Sequence, residues 1–310
     1  MIAIPLIEKI TELFLILFAA AALVRAGILK TEDSRILSRL SLNFVTPCVI
    51  FNSFQKDLTP EILQGLATAI ALAITFQILY ILFAKLLQHV WKATVVERAS
   101  VIFTNAGNLI IPLVAYILGQ EWVIYVSGYI LVFNVLFWTY GIRMFDSSSS
   151  PDFKKILLNP NILAVLAGLA FLAAGIRLPG PLAIAFDDVA AMIGPLSMII
   201  TGMVVGSMNW KEMTGNRRIW LVLLFRMVIG SGIAVAFVVL TGIPYRIPSG
   251  RSIVMITLLS AIAPSASNIN QVAILYGKDE KYASAINVLS TLSCILTMPF
   301  WILVYETLIP

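Results

Sequence analysis

Two polar stretches in otherwise apolar surroundings carry the residue types that could do chemistry. The first reads Phe103-Thr104-Asn105-Ala106-Gly107-Asn108 and runs on to Pro112. The second reads Ser260-Ala-Ile-Ala-Pro264-Ser-Ala-Ser267-Asn268-Ile-Asn270-Gln271. Proline has no N–H, and its ring clashes with the carbonyl four residues back, so Pro112 frees the carbonyl of Asn108 and Pro264 that of Ser260. In lipid such a break survives only where protein or a wet cavity covers the freed groups. A helix restarting after a break presents free N–H donors and a partial positive charge, which suit a carboxylate. Asn105, Asn268, Thr104, Asn108, Ser267, Asn270 and Gln271 add neutral donors and acceptors, with Pro112 and Pro264 expected to hold the breaks open. Taken singly, the second stretch could be a proline kink whose serines bond back to their own helix. Two interrupted spans in corresponding places of two halves point instead to a transporter binding site.

The chemistry is as much defined by what is missing. No Asp or Glu lies near the centre of an apolar run, which argues against a proton relay of buried acids and against a cation-selective ring. Arg226 is the deepest cation. It either snorkels to the nearer surface or attracts anions along a translocation path. Sodium could still bind on freed carbonyls and amide oxygens, so coupling to sodium or a proton stays open, and no resident metal or cofactor is expected. Serine proteolysis would want a Ser and a His within hydrogen-bond reach, and the one histidine, His89, sits at the end of an apolar run. Cys48 and Cys294 are isolated, with no metal-ligand or disulfide spacing.

The elements that must position these stretches follow from composition. The 310 residues are 60% hydrophobic and 12% charged, against about 25% charged in a soluble domain, so the chain reads as an all-α polytopic membrane protein. Ten runs of spanning length cover residues 6–25, 36–55, 61–88, 97–118, 122–144, 157–175, 184–208, 217–241, 251–276 and 282–308. With loops alternating sides, Lys9, Lys56, Arg177, Arg246 and Arg251 fall on one side and the other sixteen of the 21 lysines and arginines on the opposite one. The positive-inside rule then places both termini on the non-cytoplasmic side of the cell membrane. The net charge of +5 belongs to these loops rather than to nucleic-acid binding. The first run lacks a basic leader and a small-residue cleavage site, so it is read as a retained span.

Asp146-Ser-Ser-Ser-Ser-Pro151-Asp152 divides the runs five and five. Residues 1–145 form a first repeat, 146–156 a short cytoplasmic linker and 157–310 a second repeat, and an odd number of spans per half makes the two inverted. Tyr125-Val-Ser127 and Tyr282-Ala-Ser284 recur at an offset of 157 residues, each behind a run ending in glycine, Gly119 and Gly277. Runs four and nine are the broken ones, expected to cross at mid-membrane. Gly202 and Gly206 form a small-xxx-small pair suited to close helix contact.

These residues resemble the auxin efflux carrier family along essentially the whole chain. The most specific piece is Pro264-Ser-Ala-Ser-Asn268, followed by Tyr276-Gly277, Ala283-Ser284-Ala285 and Leu289-Ser290-Thr291. It is similar to the crossover and following span of the bacterial members. Asn105 with Pro112-Leu113, Asn159-Pro160-Asn161, and Leu42-Asn43 with Pro47 fit as well. The resemblance implies a fold like that of the bile acid–sodium symporters. Spans one, two, six and seven would be a scaffold with homodimer contacts, and the other six an elevator-like transport domain. It implies export of small organic anions, auxin-like or malonate-like carboxylates, with the asparagine matching Asn105 binding the carboxylate. The span-nine crossover carries Asn268, as in the bacterial pattern, and the central loop is short, both unlike plant auxin exporters. The alternatives are a sodium-coupled importer of the bile acid symporter type, a channel and an intramembrane enzyme.

Overall fold

The computed structural model describes residues 3–147, 153–208 and 210–309. The middle of the expected linker, residues 148–152, lies outside the described residues. The chain is built of helices on the ten apolar runs. We label them α1 (Ala3–Arg25), α2 (34–53), α3 (Pro60–Trp91), α4 (Val95–Ile102), α5 (Ala106–Ile117), α6 (Gln120–Phe145), α7 (Pro160–Ala174), α8 (Gly180–Ser207), α9 (Arg217–Thr241), α10 (Gly250–Ile262), α11 (Asn268–Leu275) and α12 (Glu280–Leu308). Five of them, α3, α6, α8, α9 and α12, are each long and apolar enough to cross a membrane, and α5, α7 and α10 are shorter apolar helices.

Local sequence sets the ends. Thr59 caps α3 with Pro60 in its first turn, where a missing N–H costs nothing. Thr94 and Glu97 form a reciprocal capping box that starts α4: the Thr94 hydroxyl accepts from the Glu97 N–H at 3.3 Å, and the Glu97 carboxylate accepts from the Thr94 N–H at 2.6 Å. Asn159, Asn216 and Asp279 cap α7, α9 and α12 through side-chain oxygens. Gly175 and Gly242 end α7 and α9 at φ +66° and +61°, backbone that favours glycine.

α1 packs closely against α8. A Cβ built on Gly202 would lie 2.2 Å from the Leu17 carbonyl oxygen, and one on Gly206 would lie 2.6 Å from that of Ala21. The small-xxx-small pair is therefore a backbone-to-backbone contact. Elsewhere Gly168 of α7 receives the ring of Phe54, and Gly194 of α8 receives Pro112 of α5.

The two interrupted runs are interrupted here as well. Residues 103–105 leave the helical path between α4 and α5, with Phe103 extended, and residues 263–267 lie between α10 and α11. The first break lies N-terminal to Pro112. That proline sits seven residues past Asn105, inside α5, where a π-helical turn over Ala106–Ile110 absorbs its missing N–H and ring. A π turn over Ser41–Val45 likewise precedes Pro47 in α2. Pro112 acts as a packing residue against α8, and the break itself falls at Phe103–Asn105.

Candidate functional site

The two non-helical segments pair with each other. Thr104 and Ser265 form an antiparallel bridge, closed by the Asn105 N–H on the Pro264 carbonyl at 2.8 Å and the Ala266 N–H on the Phe103 carbonyl at 3.0 Å. Pro264 thus lies within its break and accepts a hydrogen bond across it. Breaking two helices at one place costs fewer orphaned groups than breaking them apart, because each segment satisfies part of the other.

Four half-helices meet at this bridge, and their polarity is ordered. The C-terminal ends of α4 and α10 converge on Arg226, which is 1% exposed. Its Nη1 donates to the Val101 carbonyl at 3.0 Å, its Nε and Nη2 donate to that of Ala263 at 3.2 and 2.7 Å, and Nη2 also donates to Ala261. A guanidinium suits this position because its planar fork serves several acceptors at once and meets the partial negative charge of two helix ends. A π-helical stretch of α9, Leu224–Gly230, carries the residue inward. Arg226 lines neither cavity described below. Rather than snorkelling to a surface, Arg226 is buried against the carbonyls of two helix ends.

The N-terminal ends of α5 and α11 border the opposite side. A cavity of about 40 Å³ is lined by Thr104, Asn105, Asn108, Ser267 and Asn268, together with Leu42, Thr46, Ile130, Phe133, Asn134 and Asn161. A wider cavity of about 670 Å³ also reaches Asn105, Asn108 and Ser267, and adds Asn270, Gln271, Ser197 and Thr201. Thr31, Glu32, Arg35, Met213, Asn216 and Asp279 to Tyr282 line it as well. Of the seven polar residues expected at the site, Asn105, Asn108 and Ser267 border both spaces. Asn268 and Thr104 border the small one, and Asn270 and Gln271 the wide one. The Thr104 hydroxyl turns to Tyr129, 3.4 Å away, whose own hydroxyl accepts from Gln77 at 3.2 Å.

Several residues of the site were not singled out from sequence. Asn287 donates from Nδ2 to the Ser265 carbonyl at 2.6 Å, and Ser290 accepts the Ser265 N–H on its hydroxyl at 3.1 Å. Two side chains of α12 thereby take the place of a third strand. Their spacing of three puts them on one helix face, a signal that was readable, though not its partner. Thr46 and Asn161 line the small cavity, and Thr46 Oγ1 and Asn161 Oδ1 are buried without a partner. Beside the wide cavity, which Tyr282 lines, Arg218 grips Glu97 with two bonds of 2.7 and 2.8 Å, and Tyr282 donates to the same carboxylate at 2.7 Å. This joins α4, α9 and α12.

The family described as "Membrane transport protein" matches residues 5–152 and 149–302. An uncharacterized transporter of Schizosaccharomyces pombe is 22% identical over 171 residues, 48% of this chain and 38% of that protein. The chain thus matches well under half the length of that relative.

Proposed function

This chain belongs to the membrane transport protein family, an auxin efflux carrier-like group, and is a transporter rather than an enzyme; from that premise we propose that it moves small organic anions by alternating access. One observation carries the reading. Two broken helices turn both N-terminal ends toward a polar cavity, while both C-terminal ends are neutralised by Arg226 behind it. The small cavity at the bridge has partial positive charge, donor carboxamides and no carboxylate among its lining residues, which favours a carboxylate over a cation there; Glu32, Asp279 and Glu280 line the wide cavity together with Arg35 and Lys281.

In this reading the helices form ten spans in two inverted repeats, with α4–α5 and α10–α11 as the broken spans and both termini on the non-cytoplasmic side of the cell membrane. Arg35 and Lys281, in the loops rich in basic residues, line the wide cavity, which in this reading faces the cytoplasm. α1, α2, α7 and α8 act as the scaffold, which forms the homodimer, and the remaining helices move as the transport domain. Coupling to sodium or to a proton belongs to the same open set as uniport.

Purified protein in proteoliposomes, assayed with radiolabelled malonate and indole-3-acetate, tests the reading. Saturable flux of either solute is expected, cut strongly in Asn105→Ala and Asn268→Ala with melting temperatures nearly unchanged. Undiminished flux in both variants would remove the site, and conductance without saturation would favour a channel.

A further inference from the structure

The bridge at the crossover has two outer edges, and they are not alike. Thr104 and Ser265 are opposed as a pair that does not bond to each other, so the N–H and C=O of each point away from the bridge. On the Ser265 edge both groups are satisfied, the carbonyl by Asn287 and the N–H by Ser290. On the Thr104 edge neither the N–H nor the C=O has a hydrogen-bond partner among the described residues.

The chain shows why. The offset of 157 that relates Tyr125 to Tyr282 and Ser127 to Ser284 also relates Ile130 to Asn287 and Phe133 to Ser290. The two positions that supply a carboxamide and a hydroxyl to one edge are apolar at the other. Ile130 and Phe133 line the small cavity beside Thr104. A buried backbone N–H and C=O left open is costly. A second group in the same cavity is also unserved: Thr46 is 2% exposed, and its hydroxyl has no partner.

We propose that the transported solute completes the Thr104 edge, accepting the Thr104 N–H on a carboxylate oxygen and donating to the Thr104 carbonyl from a hydroxyl or N–H next to that carboxylate. The solute does there what Ser290 and Asn287 do for Ser265. This rests on the reading of the protein as an organic-anion transporter and narrows it to carboxylates that carry a neighbouring donor. Ile130 and Phe133 are the specificity positions, since their lack of polar atoms leaves the edge to the solute.

The experiment uses purified full-length protein and two solute pairs that differ by one hydroxyl, lactate against propionate and hydroxymalonate against malonate. Thermal stabilisation gives affinity, and hydrogen exchange at the Thr104 amide reports on the edge. In wild type the hydroxylated member of each pair binds more tightly, by roughly tenfold for one added hydrogen bond to a charged or buried group, and slows exchange at Thr104. Ile130→Asn, which copies Asn287 onto the open edge, weakens binding by about the same factor on that scale. Where Ile130→Asn does not fold, the exchange measurement on wild type decides alone. Equal binding within each pair, unchanged exchange at Thr104 on saturation, or wild-type affinity in a folded Ile130→Asn protein overturns the edge proposal and leaves carboxylate transport standing. Absence of binding by all four solutes overturns the carboxylate reading and the edge proposal together.

Discussion

The ring of Tyr80 lies 4.8 Å from the guanidinium carbon of Arg226, and both side chains donate to the carbonyl of Ala261. A helix end buried in protein needs donors for its last carbonyls, and here α3 and α9 each send one side chain to supply them. The stacked ring also takes part of the charge that burial strips of water.

Replacing Arg226 with Met leaves the carbonyls of Val101 and Ala263 buried without this donor, at about 1–3 kcal/mol each. Thermal unfolding in detergent should show a loss of several °C. Arg226→Lys keeps the charge but offers a single point rather than a fork, so it should fall between wild type and Met. Tyr80→Phe removes one bond of 3.0 Å and should cost about 1 kcal/mol. A Met variant as stable as wild type would show that the helix ends find other donors.

Gly202→Leu should separate α1 from α8, because its Cβ would sit 2.2 Å from the Leu17 carbonyl oxygen and 2.8 Å from the Ala20 Cβ, neither of which is the end of a flexible side chain. Overpacking of this kind costs about 1–3 kcal/mol or more. Gly215→Ala, where a Cβ meets nothing within 4 Å, is the matched control. The comparison is read from melting temperature, and equal values for the two variants would contradict the close approach.

Glu97 is 1% exposed, and Arg218 caps it with two short bonds while the Arg218 side chain remains 44% exposed. Arg218→Met leaves the carboxylate with Tyr282 and the Thr94 N–H alone. The expected loss is about 1–2 kcal/mol once solvent screening of the half-exposed arginine is allowed for. In a double-mutant cycle with Glu97→Gln the two effects should be less than additive, and additivity would show that the pair is not coupled.

Lys56 donates to the carbonyl of Glu121, and burial lowers its ammonium pKa to about 8 against the opposing pull of Glu121. In the unfolded chain the group titrates near 10.4. Between about 8 and 10.4 the unfolded state holds the extra proton, so stability rises with pH across that window; below about 8 both states are charged and the burial cost is fully present. Lys56→Met removes this slope. Its melting temperature relative to wild type should therefore fall as the pH rises from about 8 to about 10, and a difference that does not change with pH would mean that Lys56 is solvated in the fold.

The membrane class, the helix positions and the two interrupted stretches were legible in sequence because each depends on local properties. A run of apolar residues is long enough to cross or it is not, and Thr94, Asn159 and Asp279 cap their helices through groups two or three residues away. The Gly202 and Gly206 pair was readable for the same reason, since absence of a side chain permits only close approach. The place of the first break was not legible from Pro112. Its effect on a helix is local and certain, but a π turn can absorb it, and the break moved to residues 103–105, where no proline stands.

Sequence alone thus determined the kind of protein, the helices and the polar inventory from which a site is made: Asn105, Asn268 and their neighbours. The tertiary structure decided which backbone groups meet. That Thr104 opposes Ser265, that Asn287 and Ser290 serve one edge while Ile130 and Phe133 leave the other bare, and that Arg226 faces three carbonyls instead of solvent, all depend on residues separated by tens to more than a hundred positions. Hydrogen bonding is directional and short-ranged, so partners at such separations are fixed only when packing brings four half-helices to one point.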